Sequence, residues 1–295
     1  MSKYATNRPI WMERPTVLGR VLKSLILVAM VVAVVFPFLV VISTSISSPE
    51  SISRAGGLVV IPTDVSFDAY AEILLGGVVS RAVLISVGVT IVGTLLSLTC
   101  TILAAYGLSR RGSFGHGPLL TIALVTLFFA PGIIPSYLTV KSLGLLDSYW
   151  ALILPTAINA FNLVLLRNFF LGIPSELLDA ARIDGAGDLA ILRRVILPLS
   201  KAITTVIAMF YGVAYWNSFF SALLYMTSES KWPLQLILRV FVLEGQQIGV
   251  SGEAPPPQQA LQMAIVVIAI IPILVVFPFV QRHFTKGVIT GAIKG

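Results

Sequence analysis

The chain has 295 residues, of which the apolar set AVILMFWYC makes up 57% and charged residues only 11%, far below the roughly 25% charged of a soluble globular domain. A water-soluble fold would lack the polar surface to cover itself, so the composition points to a lipid bilayer. The formal charge of +7 would suit nucleic acid only if the basic residues shared a face; here they flank apolar runs, which excludes that partner.

Residues 1–21 form a basic tail, followed by a first apolar run over 22–43. At 22 residues this run exceeds the roughly 7 to 15 of a secretory signal core, and no small-residue cleavage site follows, so it reads as an uncleaved helix. Residues 44–81 form a long outer segment in which Ser66 caps a short helix and Asp68 suits its first turn. Five further runs lack Asp, Glu, Lys and Arg: Ala82 to Tyr106, Pro118 to Val140, Tyr149 to Leu166, Ala202 to Met226 and Ala260 to Val280. Roughly 20 residues at about 1.5 Å each match a hydrocarbon layer about 30 Å thick. The expectation is therefore an all-α polytopic protein with six transmembrane helices, five of them in a core over 82–280. Pro131 and Pro135 around Gly132 mark the strongest hinge signal. Cys100, His116 and His283 are the only cysteine and histidines, which excludes a disulfide framework and a Cys/His metal site within one chain.

With the amino terminus inside, cytoplasmic segments hold 15 Lys and Arg against 5 outside, which follows the positive-inside rule with both termini cytoplasmic, the carboxyl tail being 281–295. A second long outer segment, Thr227 to Gln259, carries an amphipathic stretch from Trp232 to Val242 and then Pro255, Pro256 and Pro257. Each outer segment reads either as a docking surface or as interfacial helices anchored by Tyr70 and Trp232.

The inner segment over 167–201 is the most informative, with nine charged residues between two apolar spans. Pro174 and Ser175 start a short helix, with Glu176 in its first turn. Glu176, Asp179 and Arg182 form a polar stripe, while Leu177, Ala180, Ala181 and Asp184 line other faces. Gly185 supplies the helix stop. A second helix runs from Asp188 until Pro198 stops it, with Leu189, Leu192 and Ile196 on one side. Small residues at Ala180, Ala181, Gly185, Ala186 and Gly187 permit close approach of a partner groove. The plain alternative is an amphipathic hairpin on the membrane surface, although Glu176 and Asp179 would be repelled by anionic lipids.

The run Glu176, Leu177, Leu178, Asp179, Ala180, Ala181, Arg182, Ile183, Asp184, Gly185, Ala186, followed by Ile196, Leu197 and Pro198, resembles the "EAA" loop of type I ABC importer permeases. Asp179 stands where that family usually has Glu. The stretch from Val280 to Gly295 is similar to the ending of the smaller permease of maltose-type carbohydrate systems, and Lys231, Trp232, Pro233 and Leu234 resemble an outer-loop pattern of the same group. Over residues 22–295 the chain looks most like the branch handling oligosaccharides such as aldouronate or alginate fragments. The resemblance implies a bacterial plasma-membrane permease that is not itself an enzyme. It implies a homologous second permease, two ATPase subunits holding ATP and Mg, an extracellular solute-binding protein and a carbohydrate substrate. It also implies that Glu176, Asp179, Ala180, Ala181, Arg182, Asp184, Gly185, Ala186 and Pro198 couple the chain to the ATPases, with no cofactor in the chain itself. No G-x-x-x-x-G-K-[ST] phosphate loop is present.

Within the spans, Asn159, Asn162, Tyr211, Tyr215, Trp216 and Asn217 are candidates for a sugar path; the ordinary reading of such groups is interhelical hydrogen bonding. A membrane enzyme is disfavoured because Asp184 and Asp188 have no further carboxylates or histidines at their depth. An ion-coupled secondary transporter is the remaining alternative, weakened because the span interiors carry no ionisable group to bind an ion.

Overall fold

The computed structural model describes residues 16–75, 77–110, 112, 115–129, 131–241 and 258–292, with backbone only at 258, 279–280 and 282–292. Most of the amino-terminal tail, Arg111, Val242, Pro255 to Pro257 and the closing Ile293, Lys294 and Gly295 lie outside the described residues.

Helix α1 (Val17–Ser45) starts where Thr16 Oγ1 accepts the Gly19 N–H at 3.1 Å. Its residues from Val17 to Leu39 are apolar nearly all round and exposed, as expected of a helix whose solvent is lipid or another protein. Two short helices follow, α2 (Pro49–Arg54) and α3 (Asp68–Leu75). The Asp68 N–H donates to Ser66 Oγ at 3.1 Å, and Tyr70 Oη and Ser45 Oγ share a 2.8 Å hydrogen bond.

The spine is α4 (Val78–Ser109). Ala82, Ser86, Gly93, Ser97, Thr101 and Ala105 are buried along one stripe of it, and their small size lets a neighbouring backbone come close. A Cβ built on Gly93 would lie 2.9 Å from ring atoms of Tyr215, so only glycine fits there without displacing the ring.

The third apolar run does not form one helix. It divides into α5 (His116–Phe128) and α6 (Ile133–Ser142), because Gly132 takes φ +82° beside Pro131, whose missing N–H interrupts the ladder. The fourth run is bent by 49°: α7 (Trp150–Ile153) tightens into a 3-10 turn at Leu154–Thr156, and α8 (Ala160–Leu171) begins anew with Asn159 as its cap. Next come α9 (Ser175–Ile183) and α10 (Asp188–Ile191), a π stretch over Leu192–Ile196 and α11 (Leu197–Leu199). In a regular helix the Pro198 ring would collide with the carbonyl of Arg194, and the wider π turn relieves that collision. After an 87° bend at Ser200 come α12 (Lys201–Trp216), α13 (Phe219–Tyr225), α14 (Leu234–Arg239) and α15 (Gln258–Ala292).

Among the described residues, three helices are long and apolar enough to cross a bilayer, or five if each bent pair crosses once. The third apolar run, expected from the sequence to cross once, is not among these, because it is broken into α5 and α6, each too short to span alone.

Two cores hold the elements together. One joins α4, α8, α12 and the base of the α9–α10 hairpin, through residues such as Leu166, Ile191, Leu192 and Ile207. The other gathers the two long connecting segments onto α15, with Ile52, Ile73, Leu234, Ile237 and Ile265 buried. The two long connecting segments therefore pack together as a built cap on α15.

Candidate functional site

The α9–α10 hairpin is stiff yet exposed. None of the residues of α9 is buried; Glu176, Asp179, Ala180, Arg182, Asp184 and Gly185 are exposed, and Ile183 is 86% exposed. Gly185 takes φ +78°, and the turn closes with Gly185 N–H donating to Arg182 O at 3.0 Å and Ala186 N–H to Ala181 O at 2.9 Å. That paired bonding is a Schellman ending, which needs a left-handed residue. Its apolar contacts are inward: Leu178, Ala181 and Ala186 pack against the first core. Asp179 pairs with Arg182 on the same helix at 2.7 Å, both more than half exposed, a contact of the kind worth only about 0.3–0.5 kcal/mol. Pro198 is exposed at the far end of the second limb.

A cavity of about 610 Å³ opens between α8, α12 and α13. Asn159, Asn162, Tyr211, Tyr215 and Asn217 all line it. The tyrosine hydroxyls are already committed to neighbouring helices, Tyr211 Oη to Thr101 Oγ1 and Tyr215 Oη to Ser97 Oγ, each at 2.7 Å. Asn159 Oδ1 accepts the Asn162 N–H at 3.1 Å, capping α8, and Asn217 Nδ2 donates to Val213 O at 2.9 Å. Asn162 is 5% exposed on the cavity wall. Trp216, named with them in the sequence, does not line this cavity. Its Nε1 donates to Ala269 O at 2.9 Å and its ring belongs to the second core. Sequence reasoning did not identify Phe161, Phe210, Phe220 and Ser221, which also line the cavity; within an apolar span nothing distinguishes a lining phenylalanine from a packed one.

At the opposite end of the bundle from the hairpin, Asp147 ties two loops together. It adopts φ +58°, its Oδ1 accepts the Thr227 and Ser228 N–H groups at 3.1 and 2.9 Å, and its Oδ2 accepts Lys231 Nζ at 2.8 Å and Ser228 Oγ at 2.7 Å. The Lys231 ammonium first, then Ser228, hold its carboxyl well below the usual carboxylate range. With a depressed folded value, the knot's contribution is present above the unfolded carboxyl value and fades only as pH falls through the folded one. Asp147→Asn is expected to speed amide hydrogen exchange at Thr227 and Ser228, whereas the unaltered chain keeps them protected at about pH 4, near the unfolded aspartate value. Equal exchange in the two proteins would rule the knot out as the anchor of that loop.

No protein-family model matches the chain. It is 46% identical over 266 residues, 88% of this chain and 93% of the other, to the polygalacturonan/rhamnogalacturonan transport system permease protein YtcP of Bacillus subtilis. It is 41% identical to the protein LplC of the same organism, over 88% of this chain and 90% of that one. Among solved structures, it superposes with a TM-score of 0.84 and 29% identity on a chain of a bacterial ABC transporter involved in the import of the acidic polysaccharide alginate. The match covers 94% of this chain and all of that one.

Proposed function

The chain belongs to the permeases of carbohydrate ABC importers, and from that premise we propose that it is one of two homologous permease subunits moving an oligosaccharide inward by alternating access. Two separate ATPase subunits, holding ATP and Mg, dock beneath the pair. In this reading α9 and Gly185 present the docking surface, with Glu176, Asp179, Ala180, Ala181, Arg182, Asp184, Ala186 and Pro198 shaping it. The hairpin end faces the cytoplasm together with both termini, and α5–α6 completes a sixth, broken crossing. The built cap of outer segments receives a solute-binding protein, and the cavity beside Asn162 forms this subunit's share of the sugar path. Uronate-containing oligosaccharides are the favoured substrates, since YtcP bears the name of a polygalacturonan/rhamnogalacturonan transport permease.

The hairpin carries the reading. A surface that leaves Ile183 86% exposed while locking its own turn with two backbone hydrogen bonds is built rigid for a partner, since binding then orders little further. The test is purification of a tagged chain from native membranes, followed by reconstitution with its binding protein and labelled trigalacturonate. The expected result is copurification of a second permease and a phosphate-loop ATPase, with uptake that requires ATP. Uptake driven by an ion gradient without ATP would overturn the proposal.

A further inference from the structure

We infer that Arg110, at the hairpin end of α4, is a positioning residue through which the second limb of the hairpin moves α4. This inference rests on the coupling role proposed above. The hairpin is joined to the core by the chain itself, to α8 ahead of Ser175 and through α11 and the bend at Ser200 into α12, and by the packing of Leu178, Ala181 and Ala186. Its second limb is tied to α4 by a clamp of three side chains. Arg110 Nη1 meets Asp188 Oδ2 at 2.6 Å, the guanidinium lies over the Tyr106 ring at 4.6 Å from its centroid and bonds its hydroxyl, and Tyr106 Oη donates to Asp188 O at 3.1 Å. Asp188, the first residue of α10, is thus held to α4 by both its carboxylate and its backbone. Arg167 Nε donates to Leu108 O at 2.8 Å, which binds the end of α8 to the same stretch of α4.

The clamp has a mechanical consequence. Thr101 and Ser97 of α4 are stapled to Tyr211 and Tyr215 of α12, so α12 cannot swing alone without straining those bonds. A push on the hairpin that reaches α12 through Ser200 and α4 through Asp188 at the same time moves the two helices as one body. Arg110 is only 28% exposed on its side chain, and its planar fork serves the carboxylate and the tyrosine together, a geometry lysine does not reproduce. Cutting the clamp removes this polar tie between the second limb and α4 and leaves the chain connections and the apolar contacts of the hairpin in place.

The test uses the assembled transporter in lipid vesicles, carrying Arg110→Asp, Asp188→Arg, the two combined, and the milder Asp188→Asn. Spin labels at Leu103→Cys in α4 and Leu189→Cys in α10, in a Cys100→Ser background, report whether the limb and α4 keep one distance. The unaltered clamp should give a narrow distance distribution, each single variant a broad one, and the exchanged pair a narrow one again. ATP consumed per trigalacturonate imported should rise about tenfold in the single variants, the usual scale of coupling between sites, and fall back in the exchanged pair. Narrow distances in all the single variants, or an exchanged pair that restores neither readout, would overturn the clamp. Unaltered complexes that lack ATPases or import nothing would count against the proposed function instead, and the nucleotide-free distances would still decide the clamp.

Discussion

Replacing Gly185 with valine should abolish import while leaving the membrane helices folded. The left-handed conformation at φ +78° is disfavoured for an L-residue by roughly 1–2 kcal/mol, and β-branching makes it worse. Space is not the difficulty, since a Cβ there would meet no heavy atom within 4 Å. Because the position is exposed, the chain can escape the strain only by opening the turn, which breaks the bonds from Gly185 and Ala186 back to Arg182 and Ala181. The angle between α9 and α10 is then lost, and with it the shape presented to an ATPase. Two companion variants separate backbone strain from bulk. Gly185→Asn should retain much of the activity, because asparagine tolerates the left-handed region. Gly187→Ala adds bulk to the same surface without backbone strain, because Gly187 takes φ −71° with open space around it in this chain, and should cost far less import than Gly185→Val. The measurement is trigalacturonate uptake together with ATP hydrolysis in reconstituted vesicles. A Gly185→Val complex that keeps both substrate-stimulated hydrolysis and uptake would contradict the coupling role.

The hairpin was legible in the sequence because its signals are local. Pro174 and Ser175, Gly185 and Asp188 are start and stop residues whose effect depends on the backbone alone, and the helices begin and turn at those residues. Long apolar runs were legible for the same reason. Interruptions inside them were harder to read. Gly132 announced one break, but the restart at Asn159 and the gap at Asn217 and Ser218 fall inside uncharged runs, where these polar residues read as lining or hydrogen-bonding groups rather than as breaks. Facing was not legible at Trp216: successive residues on a helix stand about 100° apart, so a helix that aims Tyr211 and Tyr215 at the cavity turns Trp216 toward α15. Contacts between distant segments were invisible. Arg110 counted only as an inside charge, since nothing local ties it to Asp188, and Asp147 gave no hint that three residues beyond α13 would converge on it.

Asn162 should show function without stability, a pattern opposite to that of its neighbours. Asn162 is 5% exposed and lines the cavity, and Asn159 Oδ1 takes its backbone N–H rather than its side chain, so among the described residues the side-chain amide does not bridge helices. Leucine keeps a similar volume and breaks no interhelical bond, so Asn162→Leu is expected to melt at about the same temperature. Tyr211→Phe, by contrast, removes an interhelical bond to Thr101 worth about 0.6 kcal/mol, and should melt lower. Import should move the other way. If the Asn162 amide meets a sugar hydroxyl, its loss removes a neutral hydrogen bond of about 0.5–1.5 kcal/mol, a reduction of roughly two- to tenfold in uptake efficiency. The cavity lining contains no Asp, Glu, Lys or Arg, so this subunit would read hydroxyls and the apolar faces of sugar rings, leaving carboxylates to other parts of the complex. Asn162→Leu should therefore reduce uptake of trigalacturonate and of its carboxyl-reduced neutral counterpart by the same factor. Melting curves and paired uptake assays decide the matter: a selective loss for the charged sugar would place charge recognition in this cavity, and unchanged uptake of both would remove Asn162 from the path.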